Sequence, residues 1–253
     1  MSRHYSEDLA YIHHEGFSTS IRQATPYLLK LLNKARRNVS YSKGEKPLVV
    51  DLGCGSGVWA RELVQAGYDV VAVDISDAMI RLARKNVSGA RLVQGSFLDT
   101  EFPQCDAVTA LGEVVNYAFD PRVKGPELLR FFRRVYAALR PGGVFVLDVA
   151  GPGRAGPSGR REGGSVGPDW AIFFRVDEDR SNQKLTRTIT SFRSAGKLYR
   201  RTNEIHEQRL YTPVAIARQL QKAGFRVERI PGYGRSVFPP GLAGFVATKA
   251  RSG

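Results

Sequence analysis

Six side chains in this 253-residue sequence are placed to move protons. His13 and His14 stand side by side near the N-terminus, Glu113 and Tyr117 lie four apart in Glu-Val-Val-Asn-Tyr, and Glu204 and His206 lie two apart in a β-rich stretch. A histidine or carboxylate tuned toward neutrality can serve as general base for an amine or hydroxyl. Spacing of two along a strand puts Glu204 and His206 on one face, lining a pocket or facing solvent. Adjacent histidines do not easily face one way, so a surface or capping role weighs equally for that pair. A second group is suited to binding. Gly53-Cys-Gly-Ser-Gly57 follows the β-branched run Pro47-Leu-Val-Val-Asp51, and Asp74 closes the next such run. Glycine accepts positive φ and lets a ligand approach the backbone. A carboxylate ending the second strand can accept both hydroxyls of a ribose, because ligands of open α/β sheets sit beyond the C-terminal strand ends. The two features together point to an adenosine-containing ligand.

The elements that must hold these groups alternate from Lys46 onward. β-rich runs at 47–51, 69–74, 91–95, 107–111 and 144–148 are separated by helical patterns at about 58–66, at 76–85 and from Pro126. This is the pattern of a parallel sheet covered on both faces. A last helix over 212–224 precedes runs at 225–230 and 244–249, too close in sequence for a helical crossover and so expected to pair antiparallel. Residues 151–168, rich in Gly and Pro and carrying Arg154, Arg160 and Arg161, read as a mobile loop. Three β-rich runs between Trp170 and Tyr211 read as a small inserted antiparallel sheet. The expected organisation is a helical cap over 1–45, a core over 46–150 and 211–253, and a loop-and-lid insert over 151–210.

Composition narrows the function classes. The formal charge is +14, from 38 Lys+Arg against 24 Asp+Glu, but the basic residues occur in pairs such as Arg133-Arg134 and Arg200-Arg201. Such a diffuse excess permits attraction to nucleic acid without requiring it. The two cysteines, Cys54 and Cys105, have no metal-ligand spacing, so no metal is expected. No run reaches the roughly 18 apolar residues of a membrane span, and the N-terminus has no signal-peptide core, so a cytoplasmic protein is expected.

NAD and S-adenosylmethionine both contain the adenosine that Asp74 would hold. A dinucleotide turn counted from Gly53 requires its third glycine where Val58 stands. The string is instead Asp-x-Gly-x-Gly-x-Gly. Val50-Asp-Leu-Gly-Cys-Gly-Ser-Gly57, Asp74-Ile-Ser, Gly95-Ser-Phe-Leu-Asp99 and Leu139-Arg-Pro-Gly-Gly-Val-Phe-Val146 together resemble the successive motifs of class I S-adenosylmethionine-dependent methyltransferases. The resemblance is strong over 46–150 and weaker over 211–249. It implies a Rossmann-like seven-stranded, mostly parallel α/β sheet with an antiparallel last strand, helices on both faces and a small antiparallel β insert. It also implies S-adenosylmethionine as cofactor. Asp51, Gly53 and Gly55 would border its methionine part, with Cys54 and Met79 in the same lining. Asp74 and Ile75 would meet ribose and adenine, Ser96 and Phe97 the adenine edge, and the backbone of Leu111 the amino end. Ser96 departs from the aspartate many members carry, so that contact lacks charge assistance. The inserted lid is similar to that of small-molecule N- and O-methyltransferases, which makes a small molecule the expected partner and Glu113, Tyr117, His13, His14 and His206 the expected catalytic set. An RNA methyltransferase is the rival motivated by charge, although Ala110-Leu-Gly-Glu113 lacks the Asn/Asp-Pro-Pro-Tyr/Phe string used on base amines. A protein that binds the cofactor without catalysis is the third reading.

Overall fold

The computed structural model describes residues 4–36, 41 and 44–251. The β-branched runs become β1 (Leu48–Leu52), β2 (Asp69–Asp74), β3 (Ala90–Gln94), β4 (Cys105–Ala110) and β5 (Leu139–Ala150), all parallel. They alternate with α3 (Val58–Gln65), α4 (Asp77–Asn86) and α5 (Gly125–Ala138), which follow α1 (Glu7–Phe17) and α2 (Thr19–Arg36). At the C-terminal end, α6 (Pro213–Lys222) leads into β10 (Arg226–Ile230), a short hairpin of β11 (Gly232–Tyr233) and β12 (Ser236–Val237), and β13 (Leu242–Thr248). The sheet order is β10-β13-β5-β4-β1-β2-β3, and β13 runs antiparallel to both its neighbours. The 11-residue return from β10 to β13 forbids a crossover and dictates that direction.

Strand alternation divides the core between two faces. On one, Val50, Leu52, Val108 and Leu147 pack with Phe131 and Phe132 of α5 and with Ile216 and Leu220 of α6. On the other, Val49, Val70, Ala107 and Val146 pack with Leu28 and Leu32 of α2 and with Trp59 and Leu63 of α3. Each fully buried phenylalanine contributes about 1.5–3 kcal/mol relative to exposure. The helices start where local chemistry places them. Ser76 accepts from the Met79 N–H, and Thr212 accepts from the Ala215 N–H, in each case satisfying an orphan first-turn donor.

The insert is a four-stranded antiparallel sheet of β6 (Arg160–Val166), β7 (Trp170–Asp179), β8 (Lys184–Ala195) and β9 (Leu198–Arg209). β6 replaces part of the loop expected over 151–168. It forms as an edge strand, because backbone pairing to β7 needs no apolar alternation. Gly163 and Gly164 belong there for close packing. A Cβ at Gly163 would stand 2.7 Å from the Phe174 ring, and one at Gly164 would stand 2.8 Å from the Ile172 carbonyl. Residues 1–3, 37–40 and 42–43 of the expected cap lie outside the described residues.

The segment before α1 is clasped from both sides. The backbone N–H groups of Tyr5 and Ser6 donate to Glu204 of β9 at 2.8 and 2.9 Å, while the Ser76 hydroxyl donates to the Tyr5 carbonyl at 3.0 Å. Asp8 adds ion pairs to Arg193 and Arg200 of the insert.

Candidate cofactor and acceptor site

Two cavities that share a wall open at the C-terminal ends of β1, β2 and β4. The narrower is lined by Gly53, Gly55, Asp74, Ile75, Met79, Ser96, Phe97 and Leu111, together with Tyr5, His13, Tyr117 and Asp120. The wider, about 600 Å³, adds Asp51, Cys54, Glu113 and the inner face of the insert. All ten residues expected around the cofactor thus lie on these walls.

The glycine loop is held by the carboxylates it connects. Gly53 and Gly55 have φ of +64° and +54°. A Cβ at Gly53 would stand 2.5 Å from Val114 Cγ2. Asp74 accepts the Gly55 N–H on Oδ2 and the Ser76 N–H on Oδ1, both at 2.8 Å, fixing the loop to the end of β2. Each carboxylate oxygen has two lone pairs, which leaves acceptor capacity for ribose hydroxyls. Burial pushes the Asp74 carboxyl up to about 6. Burial raises Asp51 to about 7, with Asp74 adding to the rise and the Thr109 hydroxyl, donating to Oδ1 at 2.8 Å, opposing it. Thr109 in turn accepts from the Trp59 indole N–H at 3.3 Å.

The other Asp51 oxygen, Oδ2, is buried without a hydrogen-bond partner among the described residues. An orphaned carboxylate oxygen costs free energy until a donor meets it, and the ammonium of S-adenosylmethionine is such a donor. The residues present therefore fit the cofactor. At the adenine end, the Ser96 hydroxyl donates to Asp120 at 2.6 Å. Arg122 bridges Asp120 and Asp99 and holds the Asp120 carboxyl down at about 2, its hydrogen bond outweighing burial. Asp120 lines the cavity, so negative charge stands beside the position where Ser96 replaces the usual aspartate.

The five expected catalytic residues are not equivalent. His13 and Tyr117 line both cavities. Burial pushes His13 down to about 4, and His14, His206 and Arg187 lower it further. Its imidazole is neutral at physiological pH, which suits a site for a sulfonium cation but makes a weak base. His14 lies off the cavity walls and bonds Ser56 Oγ through Nδ1 at 2.8 Å, seating α1 on the glycine loop. His206 is fully buried among Tyr5, Tyr117 and Phe119, with Nε2 on Glu204 at 2.8 Å. It supports the clasp and is shielded from the cavities, which corrects its catalytic assignment.

Glu113 is also corrected. Its backbone adopts φ +64°, and its carboxylate takes Arg154 Nε at 2.7 Å, Arg187 at 2.6 Å and Gln208 Nε2 at 2.8 Å. Burial would raise this carboxyl, but Arg187 and Arg154, aided by Gln208, hold it down at about 2. A group so acidic, with its lone pairs engaged, is an ionic anchor and a poor base. Asp148 fixes the same turn, accepting from Glu113 N–H at 2.6 Å and from Gly112 N–H and the Tyr233 hydroxyl at 2.9 and 2.7 Å. Burial raises it to about 6.

Sequence reasoning missed Tyr5, Asp120, Asp148 and the arginines of the insert. One signal was present for Arg187. It shares the strand face of Leu185, Ile189 and Ser191, all buried, so period two marks it as a charge on an inward face.

The chain matches a methyltransferase domain model over residues 49–143. It is 28% identical over 220 residues to the cypemycin N-terminal methyltransferase of a Streptomyces species, covering 83% of this chain and 86% of that protein. An S-adenosylmethionine-dependent methyltransferase from Clostridium acetobutylicum superimposes with a TM-score of 0.78 at 17% identity, covering 95% and 97% of the two chains. A sugar N-methyltransferase from a Streptoalloteichus species gives 0.74 at 20% identity, covering 97% and 93%. Residues 49–143 are a methyltransferase domain, and the chain around it has the fold of S-adenosylmethionine-dependent methyltransferases.

Proposed function

We propose that the protein methylates a nitrogen or oxygen nucleophile of a small molecule held in the wider cavity, and that an amine is the favoured acceptor. The observation that carries this reading is the cavity itself. It adjoins the cofactor pocket and is walled by α1, α2 and the insert, a shape that suits a compact molecule better than a polymer. The likeness to a sugar N-methyltransferase and to an enzyme that methylates an N-terminus supports nitrogen.

When bound, S-adenosylmethionine supplies the electrophilic methyl group. The chain's part is to orient the acceptor and exclude water. Tyr5 and Tyr117, their hydroxyls 3.3 Å apart, and His13 surround the approach. Neutral His13 can accept a hydrogen bond from an acceptor N–H or O–H and fix its lone pair. With Glu113 committed to arginines and His206 shielded, catalysis rests on proximity, which can lower a barrier by about 7–11 kcal/mol. A nucleic-acid acceptor is less favoured. Arg122, Arg160, Arg175, Arg193 and Arg200 all face carboxylates of the same chain, which reduces the charge open to phosphates.

The test is incubation with S-adenosylmethionine and libraries of amines and alcohols, reading S-adenosylhomocysteine release and the methylated product by mass. For the acceptor found, His13→Ala is expected to lower turnover less than about tenfold. A loss of about 10² or more would make His13 a general base. Turnover confined to RNA would overturn the small-molecule reading.

A further inference from the structure

The wider cavity contains a cluster of charge that neither cofactor binding nor methyl transfer uses. Arg154, Arg161 and Arg187 line it together with Glu113. Glu113 is shared by Arg154 through one oxygen and Arg187 through the other. Arg187 is bonded further to the Tyr117 hydroxyl at 2.9 Å, so the cluster stands one side chain from the cofactor pocket. Asp148, the other carboxylate nearby, is engaged by two backbone N–H groups and the Tyr233 hydroxyl and touches none of the arginines.

Three guanidinium groups therefore meet one carboxylate. Only Nε of Arg154 is bonded, and its two terminal nitrogens have no partner among the described residues, although the side chain is only 13% exposed. Arg161, an exposed residue of the edge strand β6, lies over the Phe174 ring at 5.6 Å and has no hydrogen-bonded or ion-paired carboxylate among the described residues. It lies within electrostatic reach of both other arginines, whose repulsion adds to desolvation in disfavouring its charge, and of Glu113, which favours it. One carboxylate against three cations leaves this wall with an excess of positive charge, and an arginine fork with free terminal nitrogens matches carboxylate and phosphate oxygens.

The geometry points to an oxyanion subsite, formed by the terminal nitrogens of Arg154 and the guanidinium of Arg161, that holds a carboxylate or phosphate group of the acceptor. The inference rests on the small-molecule reading and narrows it. The nucleophile faces His13 and Tyr117 at the cofactor end, while the anion anchors the far end at the insert. Arg187, bonded to Glu113 and Tyr117, connects the two ends. A charged contact of this kind discriminates against neutral analogues, because they leave the terminal nitrogens of Arg154 and the guanidinium of Arg161 without an anion.

The experiment loads the full chain with S-adenosylhomocysteine and titrates inorganic phosphate, pyrophosphate and malonate by calorimetry, with sodium chloride at matched ionic strength as control. Saturable binding of at least one anion is expected, weakened about tenfold or more in Arg161→Gln and partly restored in Arg161→Lys. Arg161 has no ion-paired carboxylate among the described residues and stands on an exposed edge strand, so this variant keeps the fold; Arg154→Gln is the second, read only after its melting temperature is checked. Preference for phosphate or pyrophosphate over malonate identifies a phosphorylated acceptor, and the reverse a carboxylate. No saturable binding above the chloride control, or equal binding in wild type and Arg161→Gln, overturns the subsite. Methylation of a neutral small molecule with KM unchanged in Arg161→Gln also overturns it while leaving the small-molecule reading intact. Saturable anion binding lost in Arg161→Gln, with turnover on RNA alone, keeps the subsite and overturns that reading.

Discussion

The two cavities share a wall but are built in opposite ways. The cofactor wall comes from consecutive strand ends of the core, Gly53 to Gly55, Asp74 to Met79 and Gly95 to Phe97, with Leu111 just after β4, and Asp51 at the end of β1 joins it from the wider cavity. Its carboxylates are raised by burial toward neutrality, Asp51 to about 7 and Asp74 to about 6. The wall proposed for the acceptor is assembled from segments far apart in sequence, α1, the turn at Glu113, Arg154 and β8, and its carboxylate Glu113 is held down at about 2 by two arginines. One wall stores unmet demand for a cation, and the other surrounds its anion with surplus cations. A cationic cofactor and an anionic acceptor would each find the complementary side.

The largest effect that would test this contrast is at Glu113. Glu113→Gln leaves Arg154 and Arg187 without their shared counterion and is expected to destabilise the fold by about 3–5 kcal/mol, read as a lower denaturant midpoint. If Glu113 were instead a base, stability would hold and only turnover would fall. A smaller effect is expected on the other wall. Asp74→Ala should weaken S-adenosylhomocysteine binding by about 1.5–3 kcal/mol in calorimetry with little effect on anion titrations. Equal losses of both ligands would show that the walls do not act separately.

The smallest effect is in pH. Below about 7 and 6 the free protein holds protons on Asp51 and Asp74. The ammonium group of the ligand requires Asp51 ionised and must displace its proton, so cofactor affinity should fall as pH drops from 7.5 to 5.5, by at most about tenfold per unit. Stability moves the other way for these two groups. Their folded pKa values are raised, so their contribution weakens the fold as pH rises from about 4 toward 7. Glu113 has the opposite sign. Its stabilising contribution is fully present above about 4.5 and is lost only as pH falls toward 2. Affinity for S-adenosylmethionine independent of pH over that range would contradict the proposed pairing of Asp51 with the ammonium group.

The sequence by itself determined the core and the cofactor wall. A glycine string after a β-branched run and an acid at the end of the next are local features, because the chain must make that turn and place that carboxylate whatever surrounds it. The ten residues expected there all line the cavities for that reason. What only the tertiary structure decided was the state and company of the other groups. Nothing near Glu113 in sequence announces that residues 41 and 74 positions later supply its arginines. His206 looked equivalent to His13 until packing buried it behind Tyr5 and put it on Glu204. Arg160–Val166 looked like a loop because an edge strand held by backbone hydrogen bonds leaves no periodic signature in its side chains. A pKa, an ion pair and an edge strand all depend on partners brought by the fold from far along the chain, and these long-range partners set the acceptor side.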